Sequence, residues 1–561
     1  MKDYLKNAII TLGLVFLLLS TTNPSKAELI TQTIELHPGW NAAFLEVQPG
    51  STAPADVFAG VPGLQSVWRW NPNTSTVEFI QDPEVPVPTG SLWLVYYPSE
   101  PILTNLHAIH GETAYLINLG GTENVTWTVT GKPALPHIDW KANSFNFVGF
   151  HLAPGEEPLF GDLFSSSLAH NGQEIYILND GNWEKVTSPA TTSMLRGEAF
   201  WIYCKGSSEF TGPFSVQLDQ STGLHYGKSL MEQNVLLRNN SAADKTVSLS
   251  LSALNSTLYY WVFDPANEVA GWTAFPASLG LTIPAGEAQK LRLGVKRAGL
   301  TADAVYAANM TVSDGAGMEI LVPVSVTGIS YSGLWVGDAT ITKVNEPARD
   351  SYTPVKTGSE FSFRLIVHAD DSGTVRLLSQ VIQMWQEGTW KPDPNDLGKL
   401  IVDEPGHFVL FTDDALIPLY SGSALRDGQL VGRRISAPAV PSLTAAQGVM
   451  TAGPLNPSSG NTLSVQIMLS SGDPTNPFRH MYHPDHKLSE QSYGVTRSIT
   501  LTFSDKDSEG RPITGVPTLG WGSSEIGGIY KEDITGLHRS TLHIEGTFLL
   551  YKVSSVGTLE Q

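Results

Sequence analysis

Trp40-Asn41-Ala42-Ala43-Phe44-Leu45-Glu46-Val47-Gln48-Pro49-Gly50 returns later in the chain as Phe145-Asn146-Phe147-Val148-Gly149-Phe150-His151-Leu152-Ala153-Pro154-Gly155. Further blocks follow in the same order. Asp56-Val57-Phe58 is matched by Asp162-Leu163-Phe164, and Val67-Trp68-Arg69-Trp70 by Ile175-Tyr176-Ile177-Leu178. Gly90-Ser91-Leu92-Trp93-Leu94-Val95-Tyr96 aligns with Gly197-Glu198-Ala199-Phe200-Trp201-Ile202-Tyr203. Four blocks in one order mark a duplication. In both copies aromatic and aliphatic residues alternate in short runs separated by Pro, Gly and Asn, the pattern of strands joined by turns. Two related β units, residues 28–135 and 136–225, are therefore expected side by side.

Downstream the alternation continues. Val247, Leu249 and Leu251 interleave with Ser248, Ser250 and Ser252, and Leu291, Leu293 and Val295 with Lys290, Arg292 and Gly294, so one face is apolar and the other polar. Ser313-Asp314-Gly315-Ala316-Gly317 joins two further runs, its glycines permitting the positive φ of a hairpin. Residues 226–328 thus read as an Ig-like β-sandwich. Residues 329–561 read as a larger, irregular C-terminal β domain with long Pro-, Gly- and Ser-rich loops, and one short helix is expected within Ser436 to Gly453. The fold class is all-β, with tandem β-sandwich or Ig-like domains ahead of that domain. Gly 52, Pro 36 and only 16% charged residues among 561 agree with many turns between strands.

The N-terminus has the order of a secretory leader. Lys2 and Lys6 precede the apolar run Ala8 to Leu19, and Ser25-Lys26-Ala27 supplies a small-x-small cleavage site, so residues 1–27 are expected to be removed. The run is shorter than the ~20 residues that span a bilayer as a helix, and no transmembrane anchor is expected in the mature chain. The single cysteine, Cys204, lies on a strand-like run and reads as a packed thiol; an intrachain disulfide is impossible. With 54 acidic against 34 basic side chains the net charge is −20, which repels phosphate backbones and argues against nucleic acid as a partner.

Three constellations carry candidate chemistry. His480, His483, Asp485 and His486 fall within seven residues, between Pro477 and Pro484. Three imidazoles with a carboxylate as ligand or ring-orienting group suit one divalent metal, zinc above all, although the spacing matches no metalloprotease motif. His538 and His543 are possible further partners, His543 reading more simply as a strand residue turned from the core. Asp505-Lys506-Asp507-Ser508-Glu509-Gly510 resembles half a calcium loop, but Val516 stands where a bidentate glutamate is needed, so an acidic turn is favoured, as it is for Asp370-Asp371-Ser372-Gly373. Trp68, Trp70 and Trp93 invite a sugar-stacking reading, against which the second copy's Tyr176, Leu178 and Phe200 favour ordinary core packing.

The block around Gly39-Trp40-Asn41, with Val67-Trp68-Arg69-Trp70 and Ser91-Leu92-Trp93, resembles repeats of large secreted and surface proteins of bacteria. Gly333-Leu334-Trp335-Val336-Gly337, Asn476-Pro477-Phe478 through His486, and Gly536-Leu537-His538-Arg539 resemble a C-terminal domain of similar exported multidomain proteins. The resemblance implies location and architecture and carries over no catalytic residue. The reading is a secreted or surface-exposed, non-catalytic binding or structural protein, an adhesion, scaffold or matrix component. Its expected partner is an extracellular protein or polysaccharide. The alternatives are a metal-dependent hydrolase at the His480 to His486 loop and a carbohydrate-binding protein.

Overall fold

A computed structural model describes residues 29–71, 93–254, 257–264, 268–346, 351–422, 425–437, 446–447, 449–450, 455, 460–474, 476, 494–514, 518–538 and 540–560. Strands make up 53% of the structure and helices 4%, which settles the class as all-β. The expected leader, residues 1–27, and the His480 to His486 loop lie outside the described residues.

The first unit packs two antiparallel sheets. One holds Ile30–Leu36, Val125–Pro133 and Val47–Pro49; the other runs Gly39–Leu45, Thr113–Leu119, Leu64–Trp70, Trp93–Tyr96. Alternation decides what lies between them. Ala43 and Leu45 point inward onto Val67, Tyr115, Ile117 and Trp127, whereas Trp40 and Phe44 leave the core on the opposite face. The second unit has one four-stranded sheet in the order Asn182–Lys185, Ile175–Asn179, Phe200–Cys204, Ser144–Val148.

Strand order corrects one of the aligned blocks. Phe200–Cys204 lies between Ser144–Val148 and Ile175–Asn179, and the matching place in the first unit belongs to Thr113–Leu119. Trp93–Tyr96, which the block alignment paired with Phe200-Trp201-Ile202-Tyr203, is instead an edge strand like Asn182–Lys185. Both candidates are short aromatic runs, and pairing, not composition, tells them apart. The register makes Ala114 equivalent to Ala199 and Tyr115 to Phe200, with positive φ just upstream at Glu112 (54°) and Gly197 (82°).

Next comes a sandwich of two five-stranded sheets. One runs Phe214–Leu218, Glu232–Asn239, Ala288–Val295, Leu258–Asp264, Val269–Ala274; the other runs Leu224–His225, Glu319–Thr327, Val305–Ser313, Lys245–Leu251, Ser278–Ile283. Its strands include Phe214–Leu218 and Leu224–His225, residues that the sequence reading placed with the second copy. The hairpin at 313–317 is held by Asp314, whose buried carboxylate accepts from the Ala316 and Met318 amides and pairs with Lys245 at 2.8 Å, with Gly315 and Gly317 at positive φ. One continuous core runs from Phe150 and Phe200 of the second unit to Leu291 and Val326 of the sandwich.

The C-terminal domain is built on Val375–Leu377, Val355–Ala369, Gly333–Val344, Leu542–Ser554, Glu525–Thr535, Val495–Phe503 and Thr462–Leu469, all antiparallel. Ala446–Gln447 pairs with one edge of this seven-stranded sheet and Val449–Met450 with the other, so one short segment nearly closes it into a barrel around Trp335, Leu501, Phe503, Tyr530 and Phe548. These residues fall where a helix was expected. Among the described residues between Ser436 and Gly453 there is none, because edge pairing of the backbone outweighs local composition there. A three-stranded sheet, His407–Phe411, Gln380–Gln386 and Arg433–Ser436, packs beside the barrel.

Candidate functional site

The seam between the two repeat copies gathers buried and partly buried charges, Glu46, Glu112 and His151, and a cluster of aromatic rings. The repeated asparagine shapes both sides of it. Asn41 accepts from the His37 amide and donates to the His37 carbonyl, both at 2.7 Å. Asn146 makes the same clamp on Lys141, accepting at 2.7 Å and donating at 3.0 Å. Each clamp fixes the turn that leads into the first strand of its four-stranded sheet.

At the centre of the seam the copies have become complementary. Phe44 and Gly149 occupy equivalent places in the repeated block, and they meet: a Cβ on Gly149 would lie 2.1 Å from the Phe44 ring. The free edge of Gly39–Leu45 is capped by the other copy, with the Phe44 amide donating to the Gly197 carbonyl at 2.7 Å and the Ala199 amide to the Ala42 carbonyl at 3.0 Å. Burying that edge removes a row of unpaired backbone groups.

Reciprocal ion pairs flank this contact. Glu46 and His151 are equivalent in the repeat, and each reaches the turn that precedes the central strand of the other copy. Glu46, buried, accepts a forked contact from Arg196, with Nη2 at 2.8 Å and Nε at 3.2 and 3.3 Å from its oxygens. His151, fully buried, binds Glu112 through Nε2, and the His137 amide donates to the other Glu112 oxygen at 3.2 Å. Burial is the largest influence on the His151 ring and opposes its charge, but the charge and hydrogen bond of Glu112 hold its pKa above the ordinary value. Burial likewise raises the Glu112 carboxyl, against the effect of His151. Glu198, in the same cross-seam turn as Arg196, makes no side-chain hydrogen bond or ion pair, and burial pushes its pKa up to about 7. The sandwich closes the arrangement, the Glu319 amide donating to the His151 carbonyl and the Ala153 amide to the Gly317 carbonyl.

Two clefts open on the seam. One, of about 340 Å³, lies between Arg69, Trp70 and His110 of the first copy and Asn146 and Phe147 of the second. The other, of about 430 Å³, holds Glu198 and Trp40. Sites of this size, with an apolar wall and a few converging polar groups, suit small organic ligands or single sugar residues.

The tryptophans singled out in sequence do meet, outside the core of their own unit, and Trp70 packs with Trp201 against a second buried cluster, Phe44, Ala114, Phe147 and Ala199, at the seam. Trp68, Trp70 and Trp93 lie on the outer face of their sheet. Trp68 stands edge-on to Trp40, Trp93 and Tyr97, and Trp70 and Trp93 stand edge-on to Trp201 of the second copy at 5.2 and 6.1 Å. Core packing thus holds for Trp70 at the seam cluster and not inside its own unit, because both faces of this sheet are apolar and alternation alone does not say which core a ring joins.

The metal-ligand expectation at His480, His483, Asp485 and His486 falls outside the described residues. Of the proposed partners, His543 turns from the barrel core and pairs with Asp533 at 2.6 Å, and His538 accepts from the Ser540 amide. Among the described residues no three His, Cys, Asp or Glu side chains converge as a metal site would require. Asp507 accepts from the Glu509 and Arg511 amides and from the Arg511 guanidinium, and Asp370 accepts from Ser372, Thr374 and Arg376. Both acidic stretches are turns held by their own contacts. Cys204 is buried and its thiol donates to the Gly206 carbonyl.

The buried charges were missed in sequence. Glu46 stands between Leu45 and Val47, and His151 between Phe150 and Leu152, at the same place of the repeated block, a signal that needed the alignment to be read for polarity as well as for hydrophobicity.

No family model matches the chain, and no curated protein matches it. Among solved structures it is similar to a chaperone–tip adhesion subunit pre-assembly complex of the archaic chaperone-usher Csu pili of Acinetobacter baumannii, at 14% identity over 29% of this chain and 92% of that one, TM-score 0.14. A protein of unknown function from Bacteroides ovatus matches at 10% identity over 61% and 93%, TM-score 0.15. The E. coli chaperone DraB matches at 8% identity over 45% and 91%, TM-score 0.14. Scores this low carry no argument about this chain. No helix among the described residues is long and apolar enough to cross a membrane.

Proposed function

We propose that this chain is an exported protein of the cell exterior that acts by binding, as an adhesion, scaffold or matrix component, without turning over its ligand. One observation carries the reading: the two repeat units and the sandwich are joined by buried charge pairs, shared core and main-chain hydrogen bonds. Such joints hold surfaces on neighbouring units at fixed spacing, which serves a presenting or cross-linking role. The secretory leader and the acidic, disulfide-free composition agree with an exported, soluble chain.

The test exposes the purified chain to extracellular polysaccharides and matrix proteins and reads retention and ligand integrity together. Saturable retention of an intact ligand is expected. Progressive cleavage of any of them by the chain would overturn the non-catalytic reading.

A further inference from the structure

Arg69 is the anomaly in the smaller cleft. Among the described residues the other arginines that are not fully exposed are all engaged: Arg196, Arg292, Arg376 and Arg497 each hold a carboxylate, and Arg297 holds the carbonyls of Tyr226, Gly227, Leu230 and Thr327. Arg69 is partly buried and makes no hydrogen bond or ion pair. It sits at the end of Leu64–Trp70, in register with the buried Tyr115, and lines the cleft between the copies. The two acids that share that cleft are already occupied, Glu112 by His151 and the His137 amide, Asp139 by His137 at 3.0 Å. In a chain with 54 acids to 34 bases, a half-buried guanidinium left without a carboxylate is a vacancy for an anion brought by a ligand.

The rest of the cleft says what the anion is attached to. Partly buried Trp70 gives one side an aromatic surface, backed by the buried Phe44 and Phe147, and Asn71, His110 and Thr113 give the rim polar groups. A pyranose has that division, an apolar C–H face and an edge of hydroxyls, and a ring carboxylate adds the charge that Arg69 lacks. Polyphosphates and heavily sulfated chains fit worse than a sugar with one carboxylate, since repulsion by a protein of charge −20 grows with each further charge per unit while the cleft offers one guanidinium.

We infer that the cleft between the repeat copies binds a uronic acid residue of an acidic polysaccharide, with Arg69 forking onto the carboxylate and Trp70 against the sugar face. This rests on the binding role proposed above and names its ligand class.

The probe is a short oligogalacturonide titrated calorimetrically into the full chain, beside its neutral methyl ester and an acidic peptide of equal charge. The acid should bind roughly tenfold or more tightly than the ester, the contribution of a charged forked hydrogen bond. Arg69→Ala should reduce the acid to the level of the ester, Arg69→Lys should recover part of the loss, and the exposed Arg364→Ala should change nothing. Equal binding of acid and ester, no binding of the acid, an unchanged Arg69→Ala, or an acidic peptide that binds as well as the uronide would each overturn the inference. The acid–ester comparison uses the wild-type chain and so does not depend on any variant folding. Shortening of the oligosaccharide during the titration would instead sink the non-catalytic reading itself.

Discussion

Replacing Arg196 by Met tests whether the seam is held by its buried charges. The Glu46 side chain is 4% exposed and that of Arg196 29%, and the forked contact is the carboxylate's only ion pair among the described residues. Removing the guanidinium strands a buried carboxylate, a change that costs about 3–5 kcal/mol when water is excluded. Arg196 is nearly a third exposed, so water reaches part of the vacated space and the lower end, about 3 kcal/mol, is expected. Glu46→Gln combined with Arg196→Met removes the charge as well as its partner and should lie within about 1 kcal/mol of wild type. With Glu46→Gln measured alone as well, the double-mutant cycle gives the coupling of the pair. Urea unfolding followed by tryptophan fluorescence reads it, because Trp70, Trp93 and Trp201 all stand at the seam. An Arg196→Met chain within about 1 kcal/mol of wild type, or a double variant as unstable as the single one, would refute the reasoning.

Stability should also fall as pH rises from about 5 to 8. Glu198, Glu112 and His151 all hold protons more tightly folded than unfolded, so their contribution is fullest below their unfolded values and is lost as pH climbs through the folded ones, about 7 for Glu198. Thermal melting of Glu198→Gln beside wild type should show the variant gaining relative stability with rising pH, and a constant difference would contradict this. Gly149→Ala should destabilise by about 1–3 kcal/mol through overpacking against Phe44. Adding Phe44→Ala should relieve part of that cost, and strict additivity in chemical denaturation would show that the two do not meet. Elemental analysis of the full chain, beside a variant with His480, His483 and His486 changed to Ala, tests the zinc expectation. One metal per chain, lost from a still-folded variant, supports it, and none in either chain removes it.

The sequence by itself determined the class, because a period of two in Val247 to Ser252 and in Leu291 to Val295 has no other regular solution than a half-buried sheet. It determined the duplication too, since the Asn41 and Asn146 turns recur for the same hydrogen-bonding reason. Pairing it did not determine. Whether Trp93–Tyr96 or Thr113–Leu119 is the counterpart of Phe200–Cys204 depends on which backbones meet, and both runs carry the same composition. Only tertiary structure placed Phe44 over Gly149 and nearly closed the barrel with Ala446–Gln447 and Val449–Met450. Only tertiary structure brought Glu46 to Arg196 and His151 to Glu112 while leaving Arg69 without a carboxylate among the described residues. The physical reason is that alternation is a local property of one strand, whereas the partner of a buried charge or an aromatic face lies on another element, often more than a hundred residues away.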